Sequence, residues 1–409
     1  MLKPIISVVS ICLFLTNSSL FAETIRNIDY VGDGNTQHKL DIYIPSGAGP
    51  FPAVIHYPGM GFSNGNSKSD GGLSNSYNSA GFIVVAPNLS GNGAATYPTQ
   101  LNELKATVRF LRANASVYKL DPDFIGVIGF SSGAWNSVIL ATTGDVDEYT
   151  VGNVTMKLEG TLGGNLEYSS RVQAAWAAAA PTQFLSMDSC GGSMIKHDDA
   201  GSPESGMIGG PIQQNKEKAT LANPITFVSK DDPPIHLAHG TADNLVPFCQ
   251  SKLLYDALLA SENQKEMTLA PNQGGGHSPD FNGSLDFFKK ALAANKEGCL
   301  DLQSPKFDPL ATYCNNGDCC EETATVKISS SVDDVLSIGY SRVNKSAETI
   351  SISSRGRHTT QIFNASGARI MSQSGQGKKE YNLRGVKSGV YIVKIFTDKT
   401  SITRNIVRF

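Results

Sequence analysis

Ser131 stands in Gly129-Phe130-Ser131-Ser132-Gly133, between the short apolar run Phe124-Ile125-Gly126-Val127-Ile128 and the helix-like run Ala134 to Ala141. A serine on a sharp strand-to-helix turn has its hydroxyl lifted above the sheet edge, beside a helix N-terminus that stabilises an anion. Glycines flank such a turn because a Cβ there would collide with the neighbouring strand and helix. The arrangement predicts a nucleophile. With 40 glycines in 409 residues the pattern also arises by chance, and Gly61-Phe62-Ser63-Asn64-Gly65 is a second match. That one runs into Asn66-Ser67-Lys68-Ser69-Asp70-Gly71-Gly72, a loop composition, so Ser63 is expected to be a loop serine.

A serine hydroxyl is a weak nucleophile at neutral pH and needs a base. Downstream, Pro234 to Gly240 reads as a strand, and Asp243 follows just past its carboxyl end, where open parallel sheets gather functional groups. His277 closes Gly274-Gly275-Gly276, a flexible lead into the helical segment Ser284 to Leu292. Taken singly, an aspartate after a strand forms turns and a histidine after glycines is solvated. Taken together, Ser, Asp and His occur in the chain order of α/β-hydrolases. His277 would take the serine proton and return it to the leaving group, while Asp243 would orient the ring and stabilise its cation. His56, at the end of the strand-like run Phe51 to Tyr57, is expected to be structural.

Acyl transfer also needs backbone N–H groups aimed at the developing oxyanion. After the run Phe51 to Tyr57, Pro58-Gly59-Met60-Gly61 resembles the HGGG-type loop of esterases, with Pro58 in the histidine position and Met60 in that of the middle glycine. Met60, Gly61 and Ser132 are the expected backbone donors. The stretch from Asn27 to Ala294 is similar to bacterial esterases grouped with feruloyl esterases and acetyl xylan esterases. Besides the serine, aspartate and histidine, the matching segments are His38 to Pro45, Val108 to Ala115, Leu120 to Val127, and Asn223 to Val228 with Asp231 to Pro234. The resemblance implies an α/β-hydrolase fold and a serine carboxylesterase, acting on acetyl or feruloyl esters of plant cell-wall polysaccharide such as xylan. It leaves acetyl and feruloyl undivided. The alternatives are a general lipase or peptidase on the same fold, or a non-catalytic carbohydrate-binding or adhesion protein. The complete set of Ser131, Asp243 and His277 argues against the last.

Composition narrows the partners. The formal net charge is −3 with 17% charged residues and no long basic run, which argues against nucleic acid. Met1-Leu2-Lys3 followed by the apolar run Ile5 to Leu15 predicts an export signal, residues 1–22, too short in its apolar part to span a bilayer. No stable membrane insertion is expected. Of seven cysteines, Cys12 would leave with that signal; Cys190, Cys249, Cys299, Cys314, Cys319 and Cys320 remain and can form disulfides in an exported protein. The cluster Cys299 to Cys320 invites a metal reading, but it contains no histidine, and export favours oxidation. No cofactor and no metal are expected.

Strand-like runs such as Phe82 to Pro87 alternate with amphipathic helices, Leu101, Leu104, Val108 and Leu111 marking one core face. This predicts a doubly wound, mostly parallel sheet with helices on both faces, over residues 23–297. Within it, 182–224 loses periodicity and reads as an irregular insert, either substrate-facing loops or a disordered excursion. Cys190 paired with Cys249 would tie it to the core. Residues 298–331 read as a cysteine-containing linker. From 332 to 409, alternating runs at Thr349 to Ser353, Thr360 to Asn364, Gly389 to Phe396 and Ser401 to Phe409 predict a small β-sandwich. Ser366 to Ile370, Ser388 to Ile395 and Ile406 to Phe409 resemble the C-terminal sorting domain of type IX secretion cargo. That resemblance implies delivery through secretion machinery to the cell surface or medium; a carbohydrate-binding sandwich is the alternative.

Overall fold

The computed structural model describes residues 22–63, 68–144, 146–300, 302, 304, 306–314, 319, 337–343, 346–364, 368–382, 389–397 and 401–408. All but the last residue of the expected export signal, Asn64 to Ser67, Cys320 and most of the expected linker lie outside them. The chain divides into two units, one ending at Ala294 and the other beginning at Asn295.

The first unit is built on β1 (Glu23–Asp29), β2 (Lys39–Ile44), β3 (Phe51–Tyr57), β4 (Ile83–Pro87) and β5 (Leu120–Phe130). A small hairpin follows, β6 (Glu148–Val151) with β7 (Val154–Lys157), and then β8 (Ala174–Ala178), β9 (Ile235–Gly240) and β10 (Met267–Asn272). Eight of these form one sheet in the order β1-β2-β4-β3-β5-β8-β9-β10. β1–β2 and β2–β4 are antiparallel, and every pairing from β4 to β10 is parallel.

Consecutive strand residues point to opposite faces, and both faces are covered. Ile55, Val85, Val127, Ala177 and Leu237 enter one buried cluster with Leu101, Leu104, Val108 and Leu111 of α2 (Thr99–Ala113) and Trp135 of α3 (Ser132–Thr142). Their neighbours Val54, Val84, Ile128, Ala178 and Ala238 enter the other, with Tyr77, Phe287 and Phe288. Tyr77 comes from α1 (Ser74–Ser79) and the two phenylalanines from α8 (Ser284–Ala293). Burial on both sides is why these strands are apolar throughout instead of alternating.

The insert is ordered, which overturns its reading as a disordered excursion. It carries α4 (Met187–Cys190), α5 (Pro203–Ile208), α6 (Lys216–Leu221) and intervening 3-10 turns. Phe184, Met187, Met207, Ile208, Ile212 and Leu221 are buried in the larger cluster. These apolar residues are too widely spaced along the chain to show a period. A Cys190–Cys249 disulfide joins the end of α4 to the start of α7 (Cys249–Ala260).

In the second unit, Cys314 and Cys319 are bonded, and Cys299 is also in a disulfide. Its strands are β11 (Ser337–Val343), β12 (Ser346–Asn364), β13 (Arg369–Asn382), β14 (Gly389–Thr397) and β15 (Ser401–Arg408), all paired antiparallel. Two expected strands, Thr349 to Ser353 and Thr360 to Asn364, are halves of the single strand β12. Its first half pairs with β11 and its second with β14, while β13 follows both halves across a register shift between Ser353 and Arg357.

Candidate active site

The parallel register brings the carboxyl ends of the central strands to one edge: Tyr57 pairs with Gly129, Phe130 with Ala178, and Ala178 with Ala238. Turns leaving β3, β5, β9 and β10 therefore share that edge. Ser131, between β5 and α3, has φ 56° and ψ −122°, a conformation costly for a residue with a Cβ. The turn is held by the Ser131 N–H donating to the Ala178 carbonyl (2.9 Å) and the Trp135 N–H donating to that of Ser131 (3.0 Å). Its flanks must be bare. A Cβ on Gly133 would run into the Tyr57 and Pro58 carbonyls, and one on Gly129 into the Gly133 carbonyl.

His277 bridges the other two residues. Its Nε2 is 3.0 Å from Ser131 Oγ and its Nδ1 is 2.7 Å from Asp243 Oδ2. A carboxylate only accepts, so Nδ1 carries the proton and Nε2 presents its lone pair to the serine hydroxyl. The Phe130 ring lies 4.7 Å from the imidazole, centroid to centroid. Asp243 is fully supported: Oδ1 accepts the Leu245 and Val246 N–H groups, each at 2.9 Å. Burial would raise its pKa, but hydrogen bonds from His239 and His277 and from the Leu245 amide outweigh burial and hold it well below the usual carboxylate range.

His239, which the sequence places close to Asp243 and makes the first substitute for His277, supports the acid instead. Its Nε2 is 3.2 Å from Asp243 Oδ2 and 2.9 Å from the Val246 carbonyl, and its Nδ1 is 2.7 Å from Ser251 Oγ. Two acceptors at Nε2 place the proton there, so His239 donates to the acid and has no path to Ser131. Its place on β9, four residues before Asp243, was the available signal.

Of the expected oxyanion donors, Ser132 N–H lies in the first turn of α3, where no intrahelical acceptor exists. Gly61 adopts φ +54° in the loop after β3. The Met60 N–H, in contrast, donates to Ser132 Oγ at 2.9 Å. Ser63 donates to the Met60 carbonyl at 2.6 Å, within its own loop. His56 is buried and hydrogen-bonded through Nδ1 to the Ser69 carbonyl (2.6 Å), a bracing contact for the loop before α1. Burial lowers its pKa, in keeping with a neutral ring. Among the described residues no group of three or more His, Cys, Asp or Glu side chains is disposed to hold a metal ion, and no helix is long and apolar enough to cross a membrane.

Sheet order, elbow and bridging histidine together are those of an α/β-hydrolase of the esterase type. The BD-FAE family model matches residues 40–258, more than half of the chain, and the chain belongs to that family. Residues 344–408 match the secretion system C-terminal sorting domain, so the second unit carries a type IX sorting domain, a signal for secretion or cell-surface placement. Among solved structures, a truncated carbohydrate esterase from gut microbiota is 33% identical with TM-score 0.62, covering 67% of this chain and 98% of that one. A bifunctional GH43-CE protein of Bacteroides eggerthii is 37% identical with TM-score 0.61, covering 66% of this chain and 38% of that one. The Mycobacterium tuberculosis protein named "Probable carboxylic ester hydrolase LipM" is 27% identical over 247 residues, 56% of this chain. The chain spans about half the length of that curated relative, 52%.

Proposed function

We propose that this protein is an exported serine carboxylesterase that removes acyl groups, acetyl or feruloyl, from plant cell-wall polysaccharide such as xylan. The observation that carries this reading is His277 spanning Ser131 Oγ and Asp243 Oδ2. Ser131 Oγ attacks the ester carbonyl carbon as its proton passes to His277 Nε2. The resulting oxyanion is met by the Ser132 N–H at the start of α3 and by the Gly61 N–H of the loop after β3. Collapse expels the alcohol, which takes the proton from His277. Water then attacks the acyl-serine by the same route in reverse, with His277 again the base. Asp243 keeps Nδ1 protonated and stabilises the imidazolium that forms in each half-reaction.

The polysaccharide preference is supported by the two carbohydrate-esterase neighbours and by a sorting domain that would bring the enzyme to where large substrates are met. The test is a panel of acetylated xylan, methyl ferulate and p-nitrophenyl esters of increasing acyl length, run beside labelling with a serine-reactive phosphonate. Release of acetate or ferulate with label on Ser131 is expected. Absence of turnover on every ester, or label elsewhere with Ser131 untouched, would overturn it.

A further inference from the structure

The insert holds a second set of serine, imidazole and carboxylate. Ser193 Oγ is 3.1 Å from His197 Nε2, and His197 Nδ1 is 3.0 Å from Glu204 Oε2 of α5. The hydrogen-bond directions separate it from a catalytic relay. His197 Nε2 is also 3.0 Å from the Leu245 carbonyl, to which Ser193 Oγ itself donates at 3.2 Å. Both ring nitrogens thus face oxygens that accept, and only the imidazolium satisfies both. A ring without a free lone pair cannot take the Ser193 proton, so this set is no second nucleophile. His197 and Glu204 are both almost wholly buried. Burial opposes the charge, but the Glu204 hydrogen bond and charge prevail and the net shift of the ring is upward.

What the cation touches gives it a purpose. The Leu245 carbonyl and the Val246 N–H are the two ends of one planar peptide unit, and in the trans form they point in opposite directions. One end lies on His197 and the other on Asp243 Oδ1. The preceding peptide is held the same way: the Met194 N–H donates to the Asn244 carbonyl (2.7 Å), and the Leu245 N–H donates to Asp243 Oδ1. The insert therefore grips the carbonyl of each peptide whose N–H holds the acid. A charge-assisted bond at a carbonyl also polarises its own N–H, strengthening it as a donor.

We propose that His197, as an imidazolium anchored by Glu204, is a positioning residue that fixes the Leu245–Val246 peptide and through it Asp243. The inference rests on Ser131, His277 and Asp243 being the hydrolytic site. The charged groups facing the ring are Glu204 and, from α4, Asp188, whose carboxylate accepts the His197 amide at 2.9 Å. Above the raised value the ring loses a proton, the Leu245 carbonyl loses its charged donor, and turnover falls.

The full-length protein tests this with p-nitrophenyl acetate over a pH series, folding being followed by circular dichroism at each pH. His197→Gln should lower kcat about 10- to 100-fold with KM little changed, the cost of a slightly misplaced acid. Glu204→Gln should move the alkaline limb of kcat to lower pH. In the wild type, 15N imidazole shifts of His197 should show both nitrogens still protonated at a pH where an ordinary exposed imidazole has lost its proton, a reading independent of how the variants fold. A free lone pair on His197 at that pH, or wild-type kcat and pH profile in His197→Gln while Ser131→Ala is inactive, overturns the inference alone. Full activity in Ser131→Ala instead removes the site on which it rests.

Discussion

The Met60 backbone N–H donates to Ser132 Oγ at 2.9 Å, joining the loop after β3 to the residue next to the nucleophile. One of the amides expected to face an oxyanion is thus engaged by a buried hydroxyl. Because that hydroxyl uses a lone pair on Met60, its own O–H is left to donate. Ser132→Ala should therefore lower kcat by about 10- to 100-fold, less than the loss of a full backbone donor at its upper end. KM should change little, and Ser132→Thr should recover much of the rate. Steady-state kinetics on a short acyl ester decide it; an unchanged kcat in Ser132→Ala would mean that the loop is held by its backbone alone.

Ser131→Ala should abolish turnover except for a residual rate from the oxyanion site and binding. Ser63→Ala should keep most activity, since Ser63 Oγ is spent on the Met60 carbonyl within its own turn. Mass mapping of a serine-reactive phosphonate provides the check, and label on Ser63 with none on Ser131 would reverse the assignment.

The fold class was legible, and so was the grouping of Ser131, Asp243 and His277 as candidates: Ser131 and Asp243 each follow a strand that reads locally, His277 follows three glycines and precedes a helical segment, and their order along the chain is itself informative. β8 was not, because Ala174-Ala175-Trp176-Ala177-Ala178 has helical propensity and becomes a strand only between β5 and β9. The order of the insert was hidden for a similar reason. Its apolar residues each find a place in a core assembled from elsewhere. The support of Asp243 was the least legible. It depends on contacts from Ser193 and His197 to Leu245, 52 and 48 positions apart, with no periodicity to connect them.

His239 and His277 both touch Asp243, and the geometry gives them different duties. His277→Ala should be as damaging as Ser131→Ala, because the base itself is lost. His239→Gln should reduce kcat more mildly, since Asp243 keeps its two backbone donors and His277. Parallel kcat measurements on one ester test the ranking. Equal losses, or a greater loss at His239, would contradict it.

Asp232 predicts how stability depends on pH. Full burial raises its carboxyl, and the neighbouring Asp231 charge adds to the rise against hydrogen bonds from Ser229; its pKa is pushed up to about 8. In the unfolded chain the group ionises near the ordinary value of about 4. Between these values the folded protein holds a proton that the unfolded chain has lost, so stability is present at low pH and falls as pH rises, by up to about 1.4 kcal/mol per pH unit. Asp232→Asn removes the titration and should flatten this decline, leaving the variant more stable relative to wild type at pH 8 than at pH 5. Thermal melts at both values test it; parallel pH dependence of the two proteins would show that Asp232 stays ionised when folded.

The sorting domain should be dispensable for chemistry and needed for placement. Ser131, Asp243 and His277 all lie in the unit that ends at Ala294, and so does the Cys190–Cys249 disulfide that secures the insert. The Cys314–Cys319 pair and the bonded Cys299 belong to the other unit, so a stop after Ala294 removes them together instead of stranding half of that cluster. A chain of residues 23–294 should fold and retain kcat and KM on p-nitrophenyl acetate within about two-fold of the full-length enzyme, since none of the proposed reacting groups is lost. In the native host, the same truncation expressed with residues 1–22, the expected export signal, in place should leave activity inside the cell envelope and absent from the surface and medium. Assays of envelope, surface and medium fractions give the answer. Normal delivery of the truncated enzyme together with weakened retention on insoluble xylan would instead make the β-module a carbohydrate-binding one.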